Sequence, residues 1–255
     1  MKKDSLRQIV VVLAIFFNIT INVLANALPI NGLNTGQISD RFQVYFVPAG
    51  YVFAIWGLIY IGLLAYTVYQ ALPAQKENPR LQATGWWVVL SGLANSMWIF
   101  LWHYEQFVGT LAAMLVLLAS LIAVYQRLMI GGTKVTKAEQ WLVRIPYSIY
   151  LGWITVATIA NVTDVLDLLK WNAFGIAAQT WYLFILVAVL GISTLMSLSR
   201  RDVAFILVIL WALVGIGYKF PSEPFIWIAS LTTALLVGLV LVYSFWRWKA
   251  AQKNI

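Results

Sequence analysis

The sequence predicts an all-α fold, a polytopic transmembrane bundle of about eight helices. Hydrophobic residues make up 62% of the 255 residues and charged residues only 10%, against about 45–50% and about 25% in typical soluble proteins. The chain also contains eight separate apolar stretches, and its basic residues are concentrated in alternate connections between them. A water-soluble surface cannot be built from so few charges, so we expect an integral membrane protein.

Each apolar stretch is close to the roughly 20 residues that a helix needs to cross the hydrocarbon core. Stretches of this length exclude a β-barrel, whose strands are short and alternate in polarity. All seven prolines fall in connections or in first turns, where a missing N–H is tolerated. The predicted segments are residues 6–28, 47–70, 84–102, 107–128, 143–163, 177–199, 202–220 and 225–246.

The placement of charge predicts the topology. We place the N-terminus, the connections near 71–83, 129–142 and 200–201, and the C-terminal tail on one side. That side then carries Lys2, Lys3, Arg7, Lys76, Arg80, Arg127, Lys134, Lys137, Arg144, Arg200, Arg201, Arg247, Lys249 and Lys253. Only Arg41, Lys170 and Lys219 remain for the other side. By the positive-inside rule, both termini are cytoplasmic, and the plasma (inner) membrane is the expected location.

The net charge of +8 accordingly indicates an orientation and an affinity for anionic lipids on the cytoplasmic face. Nucleic acid is not an expected partner, because no basic, base-stacking soluble surface is present. The first segment resembles a signal peptide but is long and contains Asn18 and Asn22, so we expect it to be retained, with cleavage as the alternative. The absence of cysteine excludes disulfides and thiolate metal sites.

Ionisable side chains are missing from the cores of the eight segments. Proton-coupled transporters, intramembrane proteases and diiron desaturases need such residues at membrane depth, so these classes are disfavoured. His103 and Glu105 fall in a tight turn, where we expect an interfacial histidine; a haem ligand or general base is the alternative. Asp164 and Asp167 read as solvated charges near a helix end, with an outer cation site as the alternative. We predict no catalytic residues and no metal site.

Aromatic and amide side chains recur at helical spacing in four segments, so each set shares one helix face. The sets are Asn18, Asn22 and Asn26; Phe53, Trp56 and Tyr60; Asn95, Trp98 and Trp102; and Trp153, Ala157 and Asn161. Two interpretations stay open. The faces hold the bundle together through interhelical hydrogen bonds, or they converge on a pocket for a flat, mostly apolar ligand.

Four runs in the first five segments resemble the tryptophan-rich sensory protein / translocator protein family (TspO/MBR), which includes the peripheral benzodiazepine receptor. They read PAGYVFAIWGLIY, NSMWIF, AVYQRL and PYSIYLGWITVATIANV, and the resemblance covers about residues 5–165. The chain departs from the family pattern at Ala49, where Pro is usual, and at Tyr51, where Trp is usual. It also adds three segments, so it resembles a long-form relative.

The resemblance implies a five-helix TspO-like membrane domain over 1–165, followed over 166–255 by three additional transmembrane helices and a short basic tail. It also implies a pocket for tetrapyrroles, sterols or similar molecules under a lid formed by Pro29–Tyr45. Carried over residue by residue, the ligand-binding positions are Tyr51, Phe53, Trp56, Tyr60, Asn95, Trp98, Trp153, Ala157 and Asn161.

The leading functional hypothesis is a receptor or carrier that binds a hydrophobic planar ligand such as a porphyrin, with a sensory, regulatory or transport role. A membrane enzyme that degrades or modifies a tetrapyrrole is one alternative, and a structural scaffold is another. We expect no required cofactor, a tetrapyrrole as candidate ligand, and a homodimer as candidate assembly. Ionisable groups at membrane depth are missing, which favours a non-enzymatic role.

Overall fold

All eight apolar stretches form helices in the computed structural model, which describes residues 2–28 and 30–253. The described residues contain no β-strand, so the all-α prediction is confirmed. The long helices are α1 Lys2–Ala27, α2 Ile55–Ala71, α3 Pro79–His103, α4 Phe107–Arg127, α5 Ile145–Leu168, α6 Ala178–Arg200, α7 Val203–Lys219 and α8 Pro224–Lys253.

Six of these helices, with their adjoining turns, are long and apolar enough to cross a membrane, namely α1, α2, α4, α5, α6 and α8. The most apolar windows within them have mean hydropathies between 1.4 and 2.6. Helix α7 is apolar but has only 17 residues, which is at the short end of the range for a spanning helix. Helix α3 has 25 residues, which is sufficient length. This pattern indicates a multi-pass membrane protein.

Helices α1 to α5 form a closed ring. Helix α1 packs against α2 and α3, α3 against α4, α4 against α5, and α5 against α2. Small residues allow the close approaches: a Cβ at Gly92 of α3 would lie only 3.2 Å from the Ala14 carbonyl oxygen of α1. Small residues at such contacts are the usual means by which membrane helices pack tightly.

Helices α6, α7 and α8 pack against one another, and α7 joins them to the ring by packing along α5. A Cβ at Gly152 of α5 would lie 3.1 Å from the Phe205 carbonyl oxygen of α7. The contact therefore brings the two helix backbones close together. The predicted domain boundary near residue 165 stays a prediction.

The connections that carry most of the basic residues meet at one end of the bundle, which we call the basic end. Side-chain contacts join them: Arg7 to the Lys76 carbonyl oxygen, Arg80 to Glu139, Arg200 to the Ile130 carbonyl oxygen, and Arg201 to the Trp248 ring. The opposite end, the lid end, holds the Arg41–Glu105 and Lys219–Asp40 pairs. Basic residues are thus concentrated at one end of the bundle. That this end faces the cytoplasm stays a prediction.

Several helix boundaries differ from the predicted segments; helix α3, for example, begins at Pro79 rather than near 84. Helix α2 begins at Ile55 rather than near 47, because a 3₁₀ turn, Gly50–Ala54, precedes it. A π-helical turn, Gln140–Arg144, precedes helix α5. Pro146 lies in the first turn of α5, and it has no N–H for the regular hydrogen bonds of an α-helix. Helix α8 continues to Lys253 rather than ending near 246, since its last turns contain the good helix formers Lys, Ala and Gln.

The Gly50–Ala54 turn is fixed against α7 by two hydrogen bonds. The Ala49 N–H donates to the Gly215 carbonyl oxygen at 3.2 Å, and the Trp211 indole N–H donates to the Val52 carbonyl oxygen at 3.1 Å. The Val52 side chain is fully buried against Gly215, and a Cβ at Gly215 would overlap a Val52 methyl group. Gly215 is therefore needed for this contact.

We predict that Gly215→Ala destabilises the protein, because overpacking of a close contact costs about 1–3 kcal/mol. The apparent Tm in detergent should fall by several degrees. Adding Val52→Ala should recover most of the loss, since it removes the overlapping methyl groups. Gly238→Ala in α8 is the control, as a Cβ there meets nothing within 4 Å. Equal Tm values for Gly215→Ala and Gly238→Ala would contradict the prediction.

Candidate functional site

The predicted lid is ordered over residues 30–45, and Pro29 lies outside the described residues. It contains a 3₁₀ turn, Ile30–Gly32, and a short helix, Thr35–Ser39. The short helix begins in a capping box: the Asn34 side chain accepts from the Gln37 N–H, and the Gln37 side chain accepts from the Asn34 N–H, both at 2.9 Å. This reciprocal capping explains why so short a segment is helical.

His103 at the end of α3 holds the lid in place. Its Nδ1 lies 3.0 Å from the Ile30 carbonyl oxygen, and its Nε2 lies 3.2 Å from Thr35 Oγ1. Because a carbonyl oxygen only accepts, Nδ1 donates, and in the neutral ring Nε2 accepts from the Thr35 hydroxyl. His103 is fully buried under the lid, and its expected position at the membrane interface stays a prediction. With both nitrogens engaged, the ring has no free lone pair for a haem iron.

Further contacts fasten the lid on either side of His103. The Trp102 indole N–H donates to the Thr35 carbonyl oxygen at 3.2 Å, and Phe42 packs against the Trp102 ring at 5.9 Å. Arg41 forms a two-pronged ion pair with Glu105, and its guanidinium lowers the pKa of that carboxyl by hydrogen bonding. Both partners of this pair are exposed, so it contributes little to stability.

A cavity of about 40 Å³ lies beneath the lid, between the start of α2, α3, α4 and α5. The rings of its walls meet mainly edge to face: Phe53 and Trp56 contact Trp153 at 5.7 and 6.2 Å, while Trp98 stacks on Trp102 at 5.1 Å. The lining residues are Ser39, Val47, Pro48, Phe53, Trp56, Trp98, Trp102, Met114, Trp153, Val156, Ala157, Ala160, Asn161 and Asp164.

Six of the nine predicted ligand-binding residues line this cavity, namely Phe53, Trp56, Trp98, Trp153, Ala157 and Asn161. The structure therefore brings together one aromatic face from each of α2, α3 and α5. Helical spacing grouped these residues within each segment, and the family resemblance supplied the expectation that the three faces line one pocket.

The other three predicted residues lie elsewhere. Tyr60 stacks on Trp56 at 5.7 Å, one helical turn farther from the lid. The Asn95 amide donates to the Tyr150 hydroxyl at 2.8 Å inside the five-helix ring. Tyr51 packs edge to face on Trp211 of α7 and is half exposed. It turns away from the cavity because the 3₁₀ turn, rather than an α-helix, sets its direction.

Asn161 connects two walls of the cavity. Its side-chain oxygen accepts from the Trp98 indole N–H at 3.2 Å, and its amide nitrogen donates to Thr110 Oγ1 at 2.8 Å. Trp153 differs, because its indole nitrogen is buried without a hydrogen-bond partner. The aromatic and amide faces thus hold the ring together in part, and they also leave a free donor at the cavity.

Asp164 is the main cavity residue that the sequence interpretation missed. We expected a solvated charge, but the side chain is only 2% exposed, lines the cavity, and has one carboxylate oxygen without a hydrogen-bond partner. Asp167 is exposed as expected. The signal was available, since Asp164 continues the spacing of Trp153, Ala157 and Asn161 along α5. No group of three metal-ligating side chains is found in the described part of the chain.

One family model, described as TSPO-like protein, matches residues 8–243. The chain belongs to the TSPO-like protein family. The match includes α6, α7 and α8 as well as the five-helix ring. Together with the six apolar helices, it identifies this TSPO-like protein as an integral, multi-pass membrane protein. No curated protein and no solved structure matches the chain significantly.

We predict that His103→Phe loosens the lid of this TSPO-like protein. Phenylalanine approximates the ring volume but removes both ring hydrogen bonds, each worth about 0.5–1.5 kcal/mol. Hydrogen–deuterium exchange of residues 31–40 should then become faster by about tenfold, while α4 and α5 stay unchanged. Tyr104→Phe is the control, because Tyr104 is exposed beside His103. Unchanged exchange in the lid of His103→Phe would contradict the role of His103.

Proposed function

We propose that this TSPO-like protein is a membrane receptor or carrier that binds a hydrophobic planar ligand beneath the lid, with a sensory or transport role. One observation carries the proposal: aromatic walls from three helices enclose a cavity in which a donor and an acceptor are buried without partners. These are the Trp153 indole nitrogen and one oxygen of Asp164.

Unpartnered polar atoms are costly in a buried site, because they lose their hydrogen bonds to water. A ligand with a polar edge restores those bonds: the Trp153 N–H suits a carbonyl or carboxylate oxygen, and Asp164 suits an N–H or hydroxyl group. The aromatic walls suit a flat apolar body. A tetrapyrrole combines all three features, and a sterol offers an apolar body with one hydroxyl group.

The cavity of about 40 Å³ compares with the roughly 30 Å³ that one water occupies. Ligand binding therefore requires the lid and the rings beneath it to move. The lid is attached by hydrogen bonds to His103 and Trp102, by exposed ion pairs, and by the buried side chains of Ile38 and Phe42. These contacts can separate while the five-helix ring stays intact, which suits lid-gated binding.

Two rival functions make different demands on the cavity. A tetrapyrrole-modifying enzyme needs groups for proton transfer, and Asp164 is the one titratable side chain among the described lining residues. A purely structural role is supported for Asn161, which bridges Trp98 and Thr110, but it does not account for the unpartnered Trp153 indole nitrogen. The receptor or carrier function fits both observations.

We predict that purified protein in detergent binds protoporphyrin IX saturably, measured by quenching of tryptophan fluorescence with inner-filter correction. The combined variant Trp56→Phe, Trp98→Phe and Trp153→Phe should bind about tenfold more weakly, equivalent to roughly 1.4 kcal/mol. Trp86→Phe is the matched control, because Trp86 is exposed outside the cavity. Weak, unsaturable quenching that is equal in all three proteins would exclude a tetrapyrrole as the ligand. A defined product formed in the dark would instead favour the enzyme.

We also predict that Asp164→Asn changes protoporphyrin IX affinity by fivefold or more, because it replaces a buried, partly unpartnered carboxylate with a neutral amide. Asp167→Asn makes the same chemical change at an exposed position and should leave affinity within twofold. Comparison of the two titration curves separates a contact in the cavity from a general effect of charge. Equal affinities for the two variants would exclude Asp164 from the binding site.

A further inference from the structure

A second cavity lies away from the lid, at the basic end, and is much larger. It is a groove of about 1000 Å³ between α2, α5 and α7. Val52 and Gly215 are in contact on its lid side, and its lining residues extend from Ala54 to the basic end. It is open along one side, where Leu58, Leu207 and Trp211 are exposed.

The walls of the groove are apolar over a length that suits one leaflet of a bilayer. The apolar lining residues include Ile55 and Leu58 of α2, Leu207 and Trp211 of α7, and Ile149 of α5. From the start of α7 to Trp211, the helix rises about 14 Å at 1.5 Å per residue. Half of a hydrocarbon core of about 30 Å is close to that length.

The mouth of the groove is strongly cationic. Lys134, Arg144, Arg200 and Arg201 line it, and Asp202 is the one carboxylate among the described lining residues. Asp202 is already engaged: one oxygen accepts from the Tyr125 and Ser148 hydroxyls at 2.8 and 2.6 Å, and the other caps α7 at the Phe205 N–H. The four cations therefore outnumber the one carboxylate, and the lining of the groove carries a net positive charge.

Arg144 is the clearest sign of a missing anion. Its side chain is 2% exposed and lines the groove, and it donates to the carbonyl and hydroxyl oxygens of Thr133. Its Nε has no hydrogen-bond partner, and no ion pair to Arg144 is found among the described residues. Glu139, on the preceding turn, is held by Arg80 through two hydrogen bonds. A buried guanidinium without an anion is costly.

We propose that the groove binds an anionic phospholipid, with its phosphate at Arg144, Arg200 and Arg201 and an acyl chain between α2 and α7. Arginine recognises phosphate through paired N–H donors. The apolar walls distinguish a lipid from a free anion, since a free anion would leave about one leaflet's depth of groove unfilled. This site is separate from the lid cavity and does not depend on the function proposed for it.

The test is retention of lipid by the purified full-length protein. Protein is equilibrated with equal amounts of phosphatidylglycerol and phosphatidylcholine bearing the same acyl chains, repurified, and its bound lipid is counted by native mass spectrometry. Wild-type protein should retain phosphatidylglycerol at least tenfold over phosphatidylcholine. Arg144→Gln, and separately the pair Arg200→Gln and Arg201→Gln, should lose that preference.

Two further variants sharpen the result. Arg127→Gln removes a basic residue near the same end that packs on Trp87 outside the groove, so it should keep the preference. Ala54→Trp fills the apolar wall and should reduce retention of the lipid without changing charge. Thermal unfolding of each variant shows that it is folded, and the two charge variants test the same site independently.

Three outcomes would overturn the proposal. An equal loss of preference in Arg127→Gln would indicate general surface attraction rather than a site. Displacement of bound phosphatidylglycerol by 10 mM inorganic phosphate would assign the mouth to a free anion. Displacement by protoporphyrin IX in wild-type protein, together with loss of porphyrin quenching in Ala54→Trp, would assign the groove to a tetrapyrrole.

Discussion

Hydrocarbon offers no hydrogen-bond partner, so each polar atom at membrane depth must find one inside the protein. The five-helix ring is organised around this constraint. Asn22 donates to both oxygens of Asn18 along α1 at 2.9 Å, and Asn95 of α3 donates to Tyr150 of α5. Asn161 links α5 to Trp98 of α3 and Thr110 of α4. The Asn95 and Asn161 amides favour one packing of the helices they join, because a slip would leave them unpaired, whereas the Asn22 amide is paired within α1.

The exceptions to this rule fall into two groups. Some are internal contacts, such as the Tyr66 and Tyr147 hydroxyls, whose fully buried rings meet edge to face at 5.0 Å and line neither of the two cavities described above. Others belong to side chains that line a cavity: the Trp153 indole nitrogen and one Asp164 oxygen at the lid cavity, and the Arg144 Nε at the groove. An unpaired polar atom beside a cavity is a reason to expect a ligand, whereas one packed against a ring is a cost of the fold.

Composition and apolar periodicity were sufficient for the helices. Shared helical faces grouped the aromatic residues within each segment, and the family resemblance was needed to expect Phe53, Trp98 and Trp153 around one pocket. The remaining features depend on tertiary packing that one sequence does not encode locally. Tyr51 leaves the cavity because a 3₁₀ turn replaces the predicted helix start and α7 covers that side. Arg144 was counted as a topological charge, yet it is buried at the mouth of the groove between α5 and α7.

Helix α7 relates the two cavities to each other. Lys219 at one end of α7 pairs with Asp40 of the lid, Gly215 holds the Gly50–Ala54 turn, and the first half of α7 forms the groove wall. Within that short turn, Phe53 faces the lid cavity and Ala54 faces the groove. A movement of the turn that widens one cavity therefore displaces the wall of the other. Because the family match includes α7, this shared wall lies within the part of the chain that the family model matches.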